Sequence, residues 1–190
     1  MINRVRQLRK ERLLTLEALA ERTGVTKSYL SKVERGYSTP SIAVSVSLAK
    51  ALHVPLGNLF ADATDASEIT VTRAGERQVL SSDEEPGSRY EGIALEAGDK
   101  RMTPFMLYPP HDAGPAPFRD HPGEEFVFVH AGSAELIFPS MTVPLEPGDS
   151  VYFKATTPHK VRSTSAERAA VLLLVSDDRE AAQAAHPHLP

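Results

Sequence analysis

"LTLEALAERTGVTKSYLSKVERG" (Leu14–Gly36) decides how the first third of the chain folds. Its apolar residues return at helical spacing: Leu16, Leu19 and Ala20 on one face, then Val25, Tyr29, Leu30 and Val33. Spacings of three and four belong to an α-helix and not to a strand. Thr15 and Thr26 stand just before the two runs. Each offers a hydroxyl to the free N–H groups of a first turn, so each is read as an N-cap. Gly24 and Gly36 follow the runs, at positions where a helix commonly ends in a left-handed residue.

Working outward, the same periodicity predicts helices over about 3–12, 15–23, 26–35, 41–52 and 55–60, with Pro40 suited to the first turn of the fourth. Helix, tight turn, helix is a helix-turn-helix. Ala20 is small where two helices must approach, and Val25, Leu30 and Val33 bury the inner face of the second. That leaves Thr26, Lys27, Ser28, Tyr29, Ser31, Lys32 and Arg35 on its outer and N-terminal face. Such a helix enters the major groove N-terminus first, so its first residues meet base edges. Charge agrees: residues 1–60 hold ten Lys and Arg against four Glu, a net of +6, while the remaining 130 hold 11 basic and 21 acidic groups, a net of −10. A basic head on an acidic body suggests a nucleic-acid module joined to something else.

The segments "LRK.R", "TLEALAERTGV", "SYLSKVERG" and "TPSI" resemble the phage-repressor-like (XRE) helix-turn-helix family over residues 4–60. The resemblance implies that Lys27, Ser28 and Lys32 read bases, that Thr26, Ser31 and Arg35 lie near phosphates, and that Arg9 and Glu34 tie the first helix to the third. Leu16 stands where repressors often carry a phosphate-touching Gln.

Residues 61–69, "ADATDASEI", are small and polar and read as a linker. Beyond them Gly and Pro separate short runs rich in Val, Ile, Phe and Thr: "ITVTR", "RQVLS", "YEGIALE", "TPFMLY", "EFVFVH", "AELIFP", "TVPL", "SVYFK", "HKVRS" and "AVLLLVS". About ten short strands in so little chain predict a sandwich or barrel.

Within this half, "FRDHPGEEFVFVHAG" (118–132) and "LEPGDSVYFKATTPHKVRS" (145–163) resemble the paired motifs of the cupin barrel family. His121, Glu125 and Gly132 keep the spacing of the first motif; Pro147, Gly148, Asp149 and His159 fit the second. The resemblance implies that His121, Glu125 and His159 face one site, a set that suits zinc, iron(II) or manganese. Where the family has its first His, this chain has Arg119, which cannot ligate a metal. Two readings stay open. In one, Arg119 points aside and three ligands hold a divalent metal. In the other, its guanidinium fills the metal position, pairs with Glu125 and recognises a carboxylate, sulfonate or phosphonate. Tyr90, Arg101, Phe126, Phe128 and Phe153 are further pocket candidates, along with Phe105; His111 is placed near the mouth. His53, His130, His186 and His188 are read as ordinary structural histidines.

The expected fold is a two-domain α + β protein: an all-α helix-turn-helix bundle over 1–61, a linker over 62–69, a double-stranded β-helix (cupin, jelly-roll) barrel over 70–177 and a flexible tail over 178–190. No Cys is present, which excludes disulfide and thiolate-metal frameworks. The N-terminal residues are charged and helical in pattern, and the longest strongly apolar run, "AAVLLLV", is too short to span a bilayer. The expectation is a cytoplasmic, non-enzymatic regulator that binds double-stranded DNA as a homodimer and senses a small effector, with no membrane partner. Iron-dependent phosphonate epoxidases resemble the same layout, with two His, one Glu and no first His. They also use a Lys from the helical domain and a Tyr. Here Leu13 and Leu14 stand where that Lys is expected, and Tyr90 is near the Tyr position. A third reading gives the barrel only a dimerising role.

Overall fold

A computed structural model describes residues 4–60, 69–80, 87–97, 100–113 and 118–176. The linker and tail expected at 62–69 and 178–190, with His186 and His188, lie outside the described residues except for Ile69.

The head contains α1 (Arg4–Glu11), α2 (Leu16–Thr23), α3 (Lys27–Arg35) and α4 (Ile42–Ala51), then a 3-10 turn at Leu56–Leu59. The boundaries have local causes. The Thr15 hydroxyl accepts from the Ala18 N–H and the Thr26 hydroxyl from the Tyr29 N–H, each satisfying a donor that the first turn leaves open. Gly24 ends α2 at φ 69° and Gly36 ends α3 at φ 79°, a left-handed conformation in which a side chain is strained. α4 begins two residues after Pro40, because the Ser41 hydroxyl takes the cap by accepting from the Val44 N–H. Leu19, Leu30, Leu48, Leu52 and Leu59 are wholly buried between the helices.

Nine strands follow among the described residues: β1 (Gln78–Val79), β2 (Arg89–Gly92), β3 (Met102–Tyr108), β4 (Glu124–Ala131), β5 (Ala134–Phe138), β6 (Met141–Leu145), β7 (Ser150–Lys154), β8 (Lys160–Ser163) and β9 (Ala170–Ser176). They form two antiparallel sheets, ordered β1-β2-β3-β9-β4-β7 and β6-β5-β8. Of the ten runs read as strands, "ITVTR" forms none; its last residue leads into a 3-10 turn at Ala74–Glu76. The rest of the architecture is the expected helical bundle followed by a cupin-type barrel. Gly132 closes β4 at φ 68°, and a Cβ there would stand 2.7 Å from Ser165 Oγ. Only glycine lets the chain pass that point.

Head and barrel share one apolar core. The Phe60 ring, just after the 3-10 turn, meets Phe105 of β3 edge-on at 6.0 Å, and Phe105 meets Tyr90 of β2 at 6.5 Å. Lys100 packs so closely on Gly57 that an added Cβ would lie 2.5 Å from its Cε. No helix among the described residues is long and apolar enough to cross a membrane.

A candidate interface helix and a histidine–carboxylate site

The outer face of α3 is open. Thr26, Lys27, Ser28, Lys32 and Arg35 are exposed, while Ser31 is half-buried. Lys27 Nζ pairs with Glu17 of α2 at 2.5 Å, both groups in solvent. An exposed pair of this kind holds weakly and can be exchanged for another anion. Arg35 lies over the Tyr37 ring at 5.2 Å. Tyr29 differs from its neighbours. It is half-buried and lines a cavity on the barrel side of the head.

The orientation of α3 is fixed from behind. Arg9 of α1 donates to Glu34 through Nε at 2.6 Å and Nη2 at 2.9 Å, and through Nη1 to the Leu14 carbonyl at 2.8 Å. Glu34 is 7% exposed. Its hydrogen bond, opposed by burial and helped by its charge, raises the Arg9 pKa. A fork of this geometry sets direction as well as distance.

In the barrel, the chain brings His121, Glu125 and His159 together, with one ligand atom from each lying within 4.8 Å of the others. His121 precedes β4, Glu125 is its second residue, and His159 lies just before β8. The backbone aligns them: Arg119 and His159 exchange N–H···O bonds of 3.0 and 2.9 Å, and the His121 N–H donates to Ala155. Glu125 Oε1 lies 2.6 Å from His121 Nε2, and Oε2 lies 3.4 Å from His159 Nε2. On the far side of each ring, Nδ1–H donates to a carbonyl, Pro122 at 2.9 Å and Thr157 at 2.8 Å. Those carbonyls fix both tautomers and turn both Nε2 atoms inward. Burial alone would raise the Glu125 pKa, but the hydrogen bonds and charge of the two imidazoles outweigh it and hold the carboxyl at about 2. Burial pulls the His159 pKa down, and the hydrogen bond and charge of Glu125 more than reverse it, for a net rise. Two oriented nitrogens and an ionised carboxylate on one face, with room beyond them, fit a divalent metal.

Arg119 does not fill the metal position. Both Glu125 oxygens face imidazoles, and no ion pair joins Arg119 to Glu125 among the described residues. The arginine is exposed and lines the same cavity. Tyr90 also lines it, its phenol pushed up to about 12 by burial and then by the nearby Glu125 charge.

The other pocket candidates lie elsewhere. Glu125, Val127 and Val129 face inward on β4, so Phe126 and Phe128 are turned to the opposite, outer face. Arg101 is exposed just ahead of β3. Phe153 packs behind the site, its ring 4.9 Å from His159 and 5.3 Å from Phe138. Phe105 is fully buried core, and His111 is exposed, with Nε2 on the Ser165 carbonyl at 3.0 Å. His53 and His130 are exposed.

The cavity, of about 410 Å³, is not confined to the barrel. One side is Leu107, Val127, Leu136, Val171 and Leu173 of the sheets, beside the histidine–carboxylate group. The other is the head: Tyr29 of α3, the segment Ser38–Ser41, and Ile42, Ala43 and Ser45 of α4. Sequence reasoning missed this wall. Ser45 was the available signal, a serine on the apolar stripe that carries Ile42, Leu48 and Ala49.

Comparison with known proteins gives both halves a match. Residues 5–59 fit the helix-turn-helix family model and residues 104–176 the cupin domain model. The HTH-type transcriptional regulator SutR of Escherichia coli (strain K12) is 26% identical over 161 residues, covering 84% of each chain. The HTH-type transcriptional regulator SinR of Bacillus subtilis (strain 168) is 44% identical over 57 residues, 30% of this chain and 51% of that one. Among solved structures, an HTH_3 family transcriptional regulator from Vibrio cholerae superimposes with a TM-score of 0.67 at 25% identity, covering 92% of this chain and 93% of that one.

Proposed function

We propose that this chain, an XRE-type helix-turn-helix domain joined to a cupin domain, is a DNA-binding transcriptional regulator whose barrel senses a small effector. One observation carries the reading: α3 presents an exposed face that carries Lys27, Lys32 and Arg35, while the same head walls a cavity that reaches a buried histidine–carboxylate group. Lys27, Ser28 and Lys32 read base edges. Thr26, Ser31 and Arg35 hold phosphates, with Tyr29 behind them on the cavity side. Arg9 and Glu34 fix the angle at which α3 is offered.

His121, Glu125 and His159 hold a divalent metal: zinc, iron(II) or manganese. Such a metal, when bound, would supply Lewis acidity toward a polar group of the effector. Around it, this chain's own residues do the recognition. Pro122 and Thr157 keep the imidazoles aimed, Phe153 backs the His159 ring, and Arg119 meets an acidic group.

Each head reads one half-site, so a two-fold dimer is needed. We assign the second copy to the outer face of the larger sheet. There Phe126 is paired with Leu174 and Tyr152, and Phe128 with Leu172. Tyr152 is 62% exposed and the other four are half-buried, a continuous apolar stripe. Tyr152→Glu should shift the protein toward monomer in sedimentation; an unchanged dimer would place the second copy elsewhere.

The deciding experiment for the whole reading is a gel shift on the DNA upstream of the protein's own gene. Binding should be sequence-selective and should weaken steeply with salt. No retardation even at low salt would overturn the regulator. The same metal set also favours an iron-dependent oxygenase as a second reading. Oxygen consumption by iron-loaded protein with hydroxyalkylphosphonates would establish it in place of sensing.

A further inference from the structure

The head end of the cavity carries polar groups that the fold does not use. α4 begins there, and the N–H groups of Ile42 and Ala43 have no acceptor among the described residues. The one capping oxygen, Ser41 Oγ, is taken by Val44. One turn further in, Ser45 is 1% exposed and its hydroxyl has no hydrogen-bond partner among the described residues. Ser41, Ile42, Ala43 and Ser45 all line the cavity. A buried hydroxyl without a partner is costly, and a leucine at this point of the apolar stripe would have removed both the cost and the space. An orphaned hydroxyl beside open N–H groups at the positive end of a helix is a receptor for an oxyanion.

We propose that this is the second anchor of the effector site, and that the effector is a short dicarboxylic acid. The inference rests on the sensing reading above and adds where the second acidic group goes. One carboxylate meets Arg119 on the barrel side. The other accepts from Ser45 and from the first N–H groups of α4. Between them the walls are apolar, as at Leu107 and Leu136, and suit an aliphatic spacer. A donor set at each end with apolar walls between selects a ligand with an acceptor at each end and an apolar middle. Such a ligand touches the DNA-binding head directly, within one chain.

The test titrates full-length protein calorimetrically with glutarate, adipate, pimelate and suberate, each beside the monocarboxylate of equal length. One diacid should bind about tenfold or more tighter than its monoacid. Ser45→Ala should lose about tenfold on that diacid and nothing on the monoacid, which keeps only the Arg119 end. Ser45→Ala removes an unsatisfied hydroxyl, so the ligand-free variant should melt no lower than wild type, which separates lost binding from lost fold. The Ile42 and Ala43 amide resonances should move on addition of the diacid. Equal binding of diacid and monoacid, or a neutral Ser45→Ala, would overturn the head-end anchor. If Arg119→Leu still weakened binding, barrel sensing would survive that result. If no acid of either series bound, the ligand class would be wrong, whereas the regulator itself stands or falls by the gel shift.

Discussion

Each half of the molecule buries one functionally placed glutamate, and the two are neutralised in opposite ways. Glu34 in the head faces Arg9, a cation that cannot lose its proton. Glu125 in the barrel faces two imidazoles, partners that can give up a proton and accept a metal in its place. The first arrangement is closed, with both carboxylate oxygens and all three guanidinium nitrogens used. The second is open toward a cavity. The same side chain, buried to nearly the same degree, fastens two helices in one domain and faces a ligand-sized space in the other. The partner decides which.

The largest effect expected from breaking this contrast is in the head. Glu34→Ala strands a half-buried guanidinium and should cost about 3–5 kcal/mol of stability in denaturant unfolding. The double variant Arg9→Leu/Glu34→Leu should cost less than the single one. A loss below about 1 kcal/mol would make the pair no stronger than an exposed one. In the barrel, Glu125→Ala should instead lower metal content after metal-supplemented growth by about tenfold or more, with DNA affinity nearly unchanged. Elemental analysis and a gel shift on the same preparation check both halves. A smaller effect separates the two kinds of contact on α3. Lys27→Ala should cost about 1–3 kcal/mol on the operator and relax its sequence preference, while Arg35→Ala, on the phosphate side, should lower the salt slope by about 1. Equal losses on operator and random DNA for Lys27→Ala would remove it from the base-reading set.

The smallest effect is the pH response of metal-stripped protein. The Glu125 carboxyl is held at about 2 against an ordinary 4.5. Its contribution is therefore present above the ordinary value and lost as pH falls toward the folded one. His159 is raised from 6.5. Its contribution is complete below that value and lost as pH rises through the folded one. Melting temperature should peak between these limits, from about pH 4.5 to 6.5, and Glu125→Gln should flatten the peak. A chelated sample with a profile identical to the variant's would contradict the pairing.

The head was legible because its signals are local. Caps, glycines and periodicity all act within a few residues, and they predict α1 to α4 with small boundary shifts. The barrel was legible where a motif fixes spacing: His121, Glu125 and His159 converge. It was misread where strand phase was ignored. Once Glu125 faces inward, period-two alternation sends Phe126 and Phe128 outward, and no strand can place all three in one cavity. Phe153 was misread for a related reason. Its ring is near the site, but it supports His159 from behind and does not line the space. The wall shared by head and barrel left only Ser45 as a trace in the sequence, since it arises from how Phe60 docks on Phe105, a contact between distant parts of the chain.

Ser28 is exposed on the reading face of α3, and Tyr29, the next residue, lines the cavity. Adjacent positions on a helix are separated by about 1.5 Å of rise and about 100° of rotation. The exposed face and the cavity wall are thus strips of one helix about a quarter turn apart. On our proposal, a molecule seated against the Tyr29 ring would press on the element that presents Ser28, with no relay through the barrel, and the Arg9–Glu34 fork would hold that element from behind.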